Sequence, residues 1–224
     1  YATAAEIDTS RHATTERERR AAADRAALLT PVAKAFSTDI GCEVASMGIQ
    51  VHGGMGFIEQ TGAAQYYRDA RILPIYEGTN GIQAIDLVTR KLPLSGGETV
   101  KGYIAELRAD VEALRNSNAE GFGRTAQKVS AALDDVEAAT GHLLAALSGG
   151  RTEEALAGAT PYLRLFSLAA GGAYLVRGAL AGRDGGRVAL ARFFAENLID
   201  ETAALRSRVI EGADSLEAAA ALAL

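Results

Sequence analysis

Cysteine is almost missing from this chain: its 224 residues contain one, Cys42. No internal disulfide can form, and a thiol with no His or second Cys near it reads as inert. That usage points to a reducing compartment, so the cytoplasm is the expected location. No N-terminal stretch has the charged and apolar parts of a signal peptide. Gly and Ala interrupt the apolar segments before they reach the about 18 residues of a membrane span, so no span is expected. The chain starts at Tyr1 with no initiator Met and reads as a segment of a longer protein. A basic excess is lacking too. The net charge of −5 is spread over both halves, which excludes the electrostatic footprint of a nucleic-acid partner. Strand-like alternation is absent although 48% of residues are hydrophobic, so the expected fold class is all-α. No inward carboxylate–His set stands at helical spacing, and no metal site is expected.

What the sequence does contain is a series of helical periods. Tyr1 to Ile7 reads as the end of a helix, punctuated by Asp8-Thr9-Ser10. Arg11 to Arg25 alternates in charge and reads as a solvated helix or a mobile connection. Thr30-Pro31 has the form of a helix start. Phe36, Ile40, Val44, Met47 and Val51 then make one apolar stripe, closed by His52-Gly53-Gly54. His52 reads as a hydrogen-bonded structural residue. A short helix is expected from Gly62, and another, capped by Thr79 or Asn80, from Ile82 to about Lys91. Residues 93–97 form a Pro- and Gly-containing linker between a first unit, 1–92, and a second, 98–224. The second reads as an antiparallel four-helix bundle for packing and assembly. Its helices span 100–114, 122–147, 155–180 and 188–209, with breaks at Asn116-Ser117-Asn118, Ser148-Gly149-Gly150 and Gly182 to Gly186.

One stretch carries chemistry. Ile72, Leu73, Pro74, Ile75 and Tyr76 form an apolar wall, followed by a single carboxylate, Glu77, and then Gly78, where the backbone can turn tightly. A carboxylate desolvated by such a wall has its pKa raised and becomes a base. The alternative is an acid that only complements the dipole of the following helix. Arg68, Asp69 and Arg71 are expected to lock the loop by ion pairs.

The wording of the stretch adds to this. Tyr67-Arg68-Asp69-Ala70-Arg71-Ile72, followed by Ile75-Tyr76-Glu77-Gly78-Thr79-Asn80-Gly81-Ile82-Gln83, resembles the C-terminal signature of the acyl-CoA dehydrogenase family. Gln50-Val51-His52-Gly53-Gly54-Met55-Gly56-Phe57 resembles its second signature, at the usual distance. The likeness covers Asp24 to Leu92. The remainder is similar to the long branch, which has an extra helical domain after the dehydrogenase core. Many members carry Gln or Glu where this chain has Gly81, which is familiar in the long branch.

The resemblance implies FAD as cofactor and a fatty acyl-CoA substrate oxidised to trans-2-enoyl-CoA in β-oxidation. It also implies electron-transfer flavoprotein as acceptor and a homodimer. Glu77 would be the base, Tyr76 and Gly78 would bind substrate, and Thr79 would lie at the flavin. Gln50, Gly53 and Gly54 would touch the ADP half of an FAD bound mainly by a partner subunit. An acyl-CoA oxidase and a non-catalytic helical assembly domain are the competing readings.

Overall fold

A 36-residue helix, α2 (Glu16–Val51), is the longest element of the computed structural model, which describes residues 1–117, 119–182 and 184–222. It opens on a capping box. The Glu18 amide donates to the Thr15 hydroxyl at 3.2 Å, and the Thr15 amide donates to the Glu18 carboxylate at 3.1 Å. The start expected at Thr30-Pro31 therefore falls inside the helix. Pro31 is buried there, and the Thr30 hydroxyl turns back to donate to the Ala26 carbonyl at 2.7 Å. An interior proline costs about 3 kcal/mol. The burial of Leu28, Leu29, Val32 and Ala35 around it offsets that cost.

Before α2 lies α1 (Ala2–His12), which runs on through the break expected at Asp8-Thr9-Ser10. The Thr9 and Ser10 hydroxyls donate to the carbonyls of Ala5 and Ile7, so these residues serve the helix instead of ending it. The charged Arg11–Arg25 segment is helix apart from a short corner at Ala13–Thr15.

The second half contains α6 (Glu98–Asn116), α7 (Thr125–Ser148), a short α8 (Thr152–Ala157), α9 (Ala159–Gly182), α10 (Gly185–Asn197) and α11 (Glu201–Leu222). Among the described residues every regular element of the chain is helical. Of the expected breaks, Asn118 and Arg183 lie outside the described residues. α9 occupies the centre, packed against α6, α7, α10 and α11. By length and composition it could cross a membrane, with a mean hydropathy of 1.3, contrary to the expectation that no segment would qualify. In this fold its apolar side chains face neighbouring helices, as in any helix that is hydrophobic on most sides and buried.

The fourth expected helix is two, because residues 198–200 leave the helical path. Ile199 is buried against Gly172, Asp200 pairs with Lys128 at 2.6 Å, and the Thr202 hydroxyl donates to the Asp135 carboxylate at 3.0 Å. These contacts to α7 and α9 set the corner without any Gly or Pro. A methyl group on Gly172 would stand 2.7 Å from Ile199 Cδ1 and 3.2 Å from Val129 Cγ2. Gly172→Ala is accordingly expected to destabilise the fold by about 1–3 kcal/mol through overpacking. Gly171→Ala, whose methyl would meet nothing nearer than 3.6 Å, is the control. It should hold or raise the melting temperature, and equal losses in both variants would refute the packing argument.

One buried core joins the first half of α2 and residues 84–92 to the second half of the chain. Leu28, Leu29, Val32, Leu87, Val88 and Leu92 belong to the same cluster as Tyr103, Leu107, Leu143, Tyr162 and Phe166. Tyr103 stacks on Phe166 with ring centroids 5.5 Å apart, and its hydroxyl donates to that of Tyr174 at 2.9 Å. The Tyr162 and Thr140 hydroxyls bond at 2.6 Å, which satisfies both inside the core. Arg164 of α9 reaches Glu43 of α2 at 2.6 Å and Glu201 of α11 at 2.7 Å. The expected linker is a single tight turn, Leu94–Gly97, with Ser95 at φ 53°, Gly96 at φ 68° and Gly97 at φ 89°.

Candidate functional site

Beyond α2 the chain turns at Gly53, whose φ of 60° and ψ of −145° suit only glycine. A four-residue helix, α3 (Gly54–Phe57), follows, and then α4 (Ala63–Arg71), entered through Gly62 at φ 80°. The helix end at His52-Gly53-Gly54 and the helix beginning at Gly62 are as expected. His52 Nδ1 lies 2.8 Å from the Gly48 carbonyl, in line with a structural role. The Cys42 thiol donates to the Ala70 carbonyl at 3.3 Å and ties α2 to α4.

The loop after α4 carries Glu77 and enters α5 (Asn80–Asp86). Thr79 is the cap, accepting from the Ile82 amide at 3.4 Å. α5 continues as a π-turn, Leu87–Lys91, in which the Leu92 amide donates to the Leu87 carbonyl at 2.9 Å. That extra residue per turn seats both Leu87 and Leu92 in the core.

The loop itself is unusual in its backbone. Glu77 has φ 55° and Gly78 φ 82°, two consecutive left-handed residues. Only the glycine adopts this freely; a Glu there costs about 1–2 kcal/mol. Bonds from outside the loop hold it. The Asn80 amide donates to the Pro74 carbonyl at 3.0 Å, closing the neck. Gln83 Nε2 donates to the Glu77 carbonyl at 3.2 Å, and Lys34 Nζ donates to the Gly78 carbonyl at 2.9 Å. Lys34 also donates to Asn80 Oδ1 at 2.8 Å. The side-chain Nδ2 of Asn80 donates to the Ala35 carbonyl, the Thr38 hydroxyl and the Asp39 carboxylate at 3.0, 2.9 and 2.7 Å.

Two expectations need correction. The ion-pair lock from Arg68, Asp69 and Arg71 is replaced by this clamp. Arg68 pairs with Glu59 at 3.1 Å, between two exposed side chains, where such a pair contributes little. The burial expected around Glu77 is also not formed within this chain. Glu77 is exposed, and the wall beside it is open: Ile72 is 54%, Ile75 47% and Tyr76 47% exposed. The second half of the α2 stripe is open as well, with Val44, Met47 and Val51 exposed; Phe36 packs against the core and Ile40 is half-buried.

The sequence reading missed Lys34, Thr38, Asp39 and Gln83. A signal was present: Lys34 and Thr38 recur at helical spacing within an apolar stretch. Without the fold, nothing tied them to a loop more than forty residues away.

Gln50, Gly53, Gly54 and Thr79, the residues expected to hold a cofactor, are all exposed. They form two groups. Thr79 lies beside Asp39 through Asn80, and Gln50 is eleven residues further along α2, roughly 16 Å away at 1.5 Å per residue. The space beside Gly53 and Gly54 is open to close approach. An amide, two unshielded backbone segments and a hydroxyl suit the polar groups of an extended dinucleotide such as FAD. The two groups are separate points on the surface, and among the described residues neither encloses a cavity of its own. Tyr76, Glu77 and Gly78 are brought together with Thr79; the Gln50 group is not.

Comparison with known proteins adds to the geometry. Residues 103–220 match the family model described as acetyl-CoA dehydrogenase C-terminal like, and residues 2–92 match that described as acyl-CoA dehydrogenase, C-terminal domain. A 3-methylmercaptopropionyl-CoA dehydrogenase of Ruegeria pomeroyi is 41% identical over 96% of this chain and 38% of its own length. A butyryl-CoA dehydrogenase of Syntrophomonas wolfei is 41% identical over 45% of this chain and 17% of its own length. The crystal structure of Caenorhabditis elegans ACDH-11 in complex with C11-CoA superposes with a TM-score of 0.68 at 20% identity, over 94% of this chain and 36% of that one; this is a likeness of fold. The chain thus spans less than two fifths of the length of the curated relatives it matches.

Proposed function

The chain belongs to the acyl-CoA dehydrogenase family as its C-terminal part, and we propose that it completes the site of an FAD-dependent enzyme that converts acyl-CoA thioesters to trans-2-enoyl-CoA. The observation that carries the reading is the Glu77 loop. Its one carboxylate stands in an apolar strip, on a left-handed backbone held by Lys34, Asn80 and Gln83. Strain kept at a carboxylate-bearing loop is a mark of a functional position.

In this reading the Glu77 carboxylate takes the α-proton of the thioester from about 3 Å. Its backbone amide donates to the thioester carbonyl, where negative charge develops. Tyr76, with Ile72 and Ile75, lines the acyl slot, and Gly78 leaves room beside the reacting carbons. Thr79 would lie at the flavin end of FAD, and Gln50, Gly53 and Gly54 would touch the ADP half of an FAD bound mainly by a partner subunit. FAD, when bound, supplies the redox chemistry by accepting the β-hydrogen as hydride. The proposal extends to a homodimer working in cytoplasmic fatty acid β-oxidation, with electron-transfer flavoprotein as acceptor. The Ruegeria relative, a 3-methylmercaptopropionyl-CoA dehydrogenase, brings short thioether acyl groups into the proposed substrate range.

The test is turnover of the complete enzyme on a panel of acyl-CoA esters that includes butyryl, 3-methylmercaptopropionyl and longer chains. Formation of the 2-enoyl-CoA with at least one ester is expected, with fast reoxidation by electron-transfer flavoprotein and slow reoxidation by air. Fast reoxidation by air would make it an oxidase. No enoyl product from any ester would remove the reading.

A further inference from the structure

We propose that Lys34 is a positioning residue for Glu77: it sets the left-handed backbone of the base from a helix far away in sequence. The proposal rests on the assignment of Glu77 as base. The chain of contacts has a defined polarity. Asp39, Thr38 and the Ala35 carbonyl are all acceptors, so they face the NH₂ group of Asn80 and turn its Oδ1 toward α2 residue Lys34. Lys34 is half-buried, and its ammonium bridges that Oδ1 at 2.8 Å and the Gly78 carbonyl at 2.9 Å. The peptide planes following Glu77 and Gly78 are thus each fixed, the first by Gln83 and the second by Lys34. Without the ammonium, the Gly78 carbonyl loses its partner and Glu77 is released toward a right-handed or extended conformation, which an L-residue prefers. The carboxylate then moves relative to the substrate. A displacement of about 1 Å at a reacting group costs roughly 10²-fold in rate.

A lysine suits this position for a physical reason. Its compact charge carries several donors and serves two acceptors at once, while its stem packs along the helix. Lys34→Met keeps the length and removes the charge and donors.

The experiment uses the complete enzyme and four variants: Lys34→Met, Lys34→Arg, Glu77→Gln and the double variant Lys34→Met/Glu77→Gln. Lys34→Met should lose roughly 10²-fold in kcat with KM and FAD content close to wild type. Lys34→Arg should recover part of the loss. In the Glu77→Gln background, Lys34→Met should lower the residual rate much less than in the wild-type background, because the carboxylate it positions is already gone and only the backbone amide at position 77 remains to be displaced. A merely structural lysine would instead lower FAD content and reduce the rate equally in both backgrounds, and that result overturns the proposal. So does a wild-type kcat in Lys34→Met when Glu77→Gln is inactive. If Glu77→Gln itself turns over normally, the base assignment fails and the positioning role falls with it. Should Lys34→Met not fold, Asn80→Ala breaks the same clamp from the loop side and is read in the same way.

Discussion

Glu77→Gln in the complete enzyme is expected to lower turnover by at least about 10²–10⁴, the usual contribution of a general base. FAD should stay bound. The argument lies in what the side chain does not do for the fold. Among the described residues the hydrogen bond that Glu77 itself makes runs through its backbone carbonyl, which accepts from Gln83, and the rest of the clamp acts on Gly78 and Asn80. An amide of the same shape keeps that bond, the backbone conformation and the neighbours, and loses only the capacity to accept a proton. Steady-state kinetics with flavin content measured alongside decides it. A variant within about threefold of wild type would place the base elsewhere and leave Glu77 as a helix-end charge.

Truncation after Leu92 is the second large effect, and it acts on the fold. Leu28, Leu29, Val32, Leu87, Val88 and Leu92 are buried in a core completed by α6 and α9. Each such side chain loses about 1.5–3 kcal/mol when its burial is removed. The bridge from Arg164 to Glu43 and the pair between Arg25 and Glu106 go as well. The exposed face is large and apolar, so the truncated enzyme should aggregate or assemble to a higher order. Light scattering on the complete enzyme cut at this point reads the result. A soluble dimer of normal activity would mean that the second half is dispensable, and that covering this face is not the reason for its presence.

Much of this was legible in the sequence. Apolar periods located the helices, Gly53 marked a turn because only glycine fits its backbone angles, and Gly62 marked the start of a helix. The Thr15–Glu18 capping box is also visible as a pattern, yet the charge alternation around it and the proline at position 31 pointed to a later start. Long-range packing decides such a case, since the burial of residues 28–35 outweighs the cost of an interior proline. The corner at Leu198–Asp200 had no local signal, because its cause is the space left by Gly172 on another helix. At the site, the sequence singled out Glu77 but assigned the turn to Gly78 alone. The clamp through Lys34 and Asp39 was hidden because it joins segments distant in sequence. The burial of the carboxylate was overestimated because an apolar wall beside an acid does not by itself cover it.

The most direct test of the central claim is anaerobic mixing of the complete enzyme with an acyl-CoA, unlabelled or deuterated at the α-carbon, while flavin absorbance is followed in a stopped-flow instrument. The account predicts that wild-type flavin bleaches in one phase, that α-deuteration slows it, and that Glu77→Gln with FAD bound fails to bleach. Bleaching of Glu77→Gln at the wild-type rate, or no bleaching of the wild type by any acyl-CoA, would contradict it.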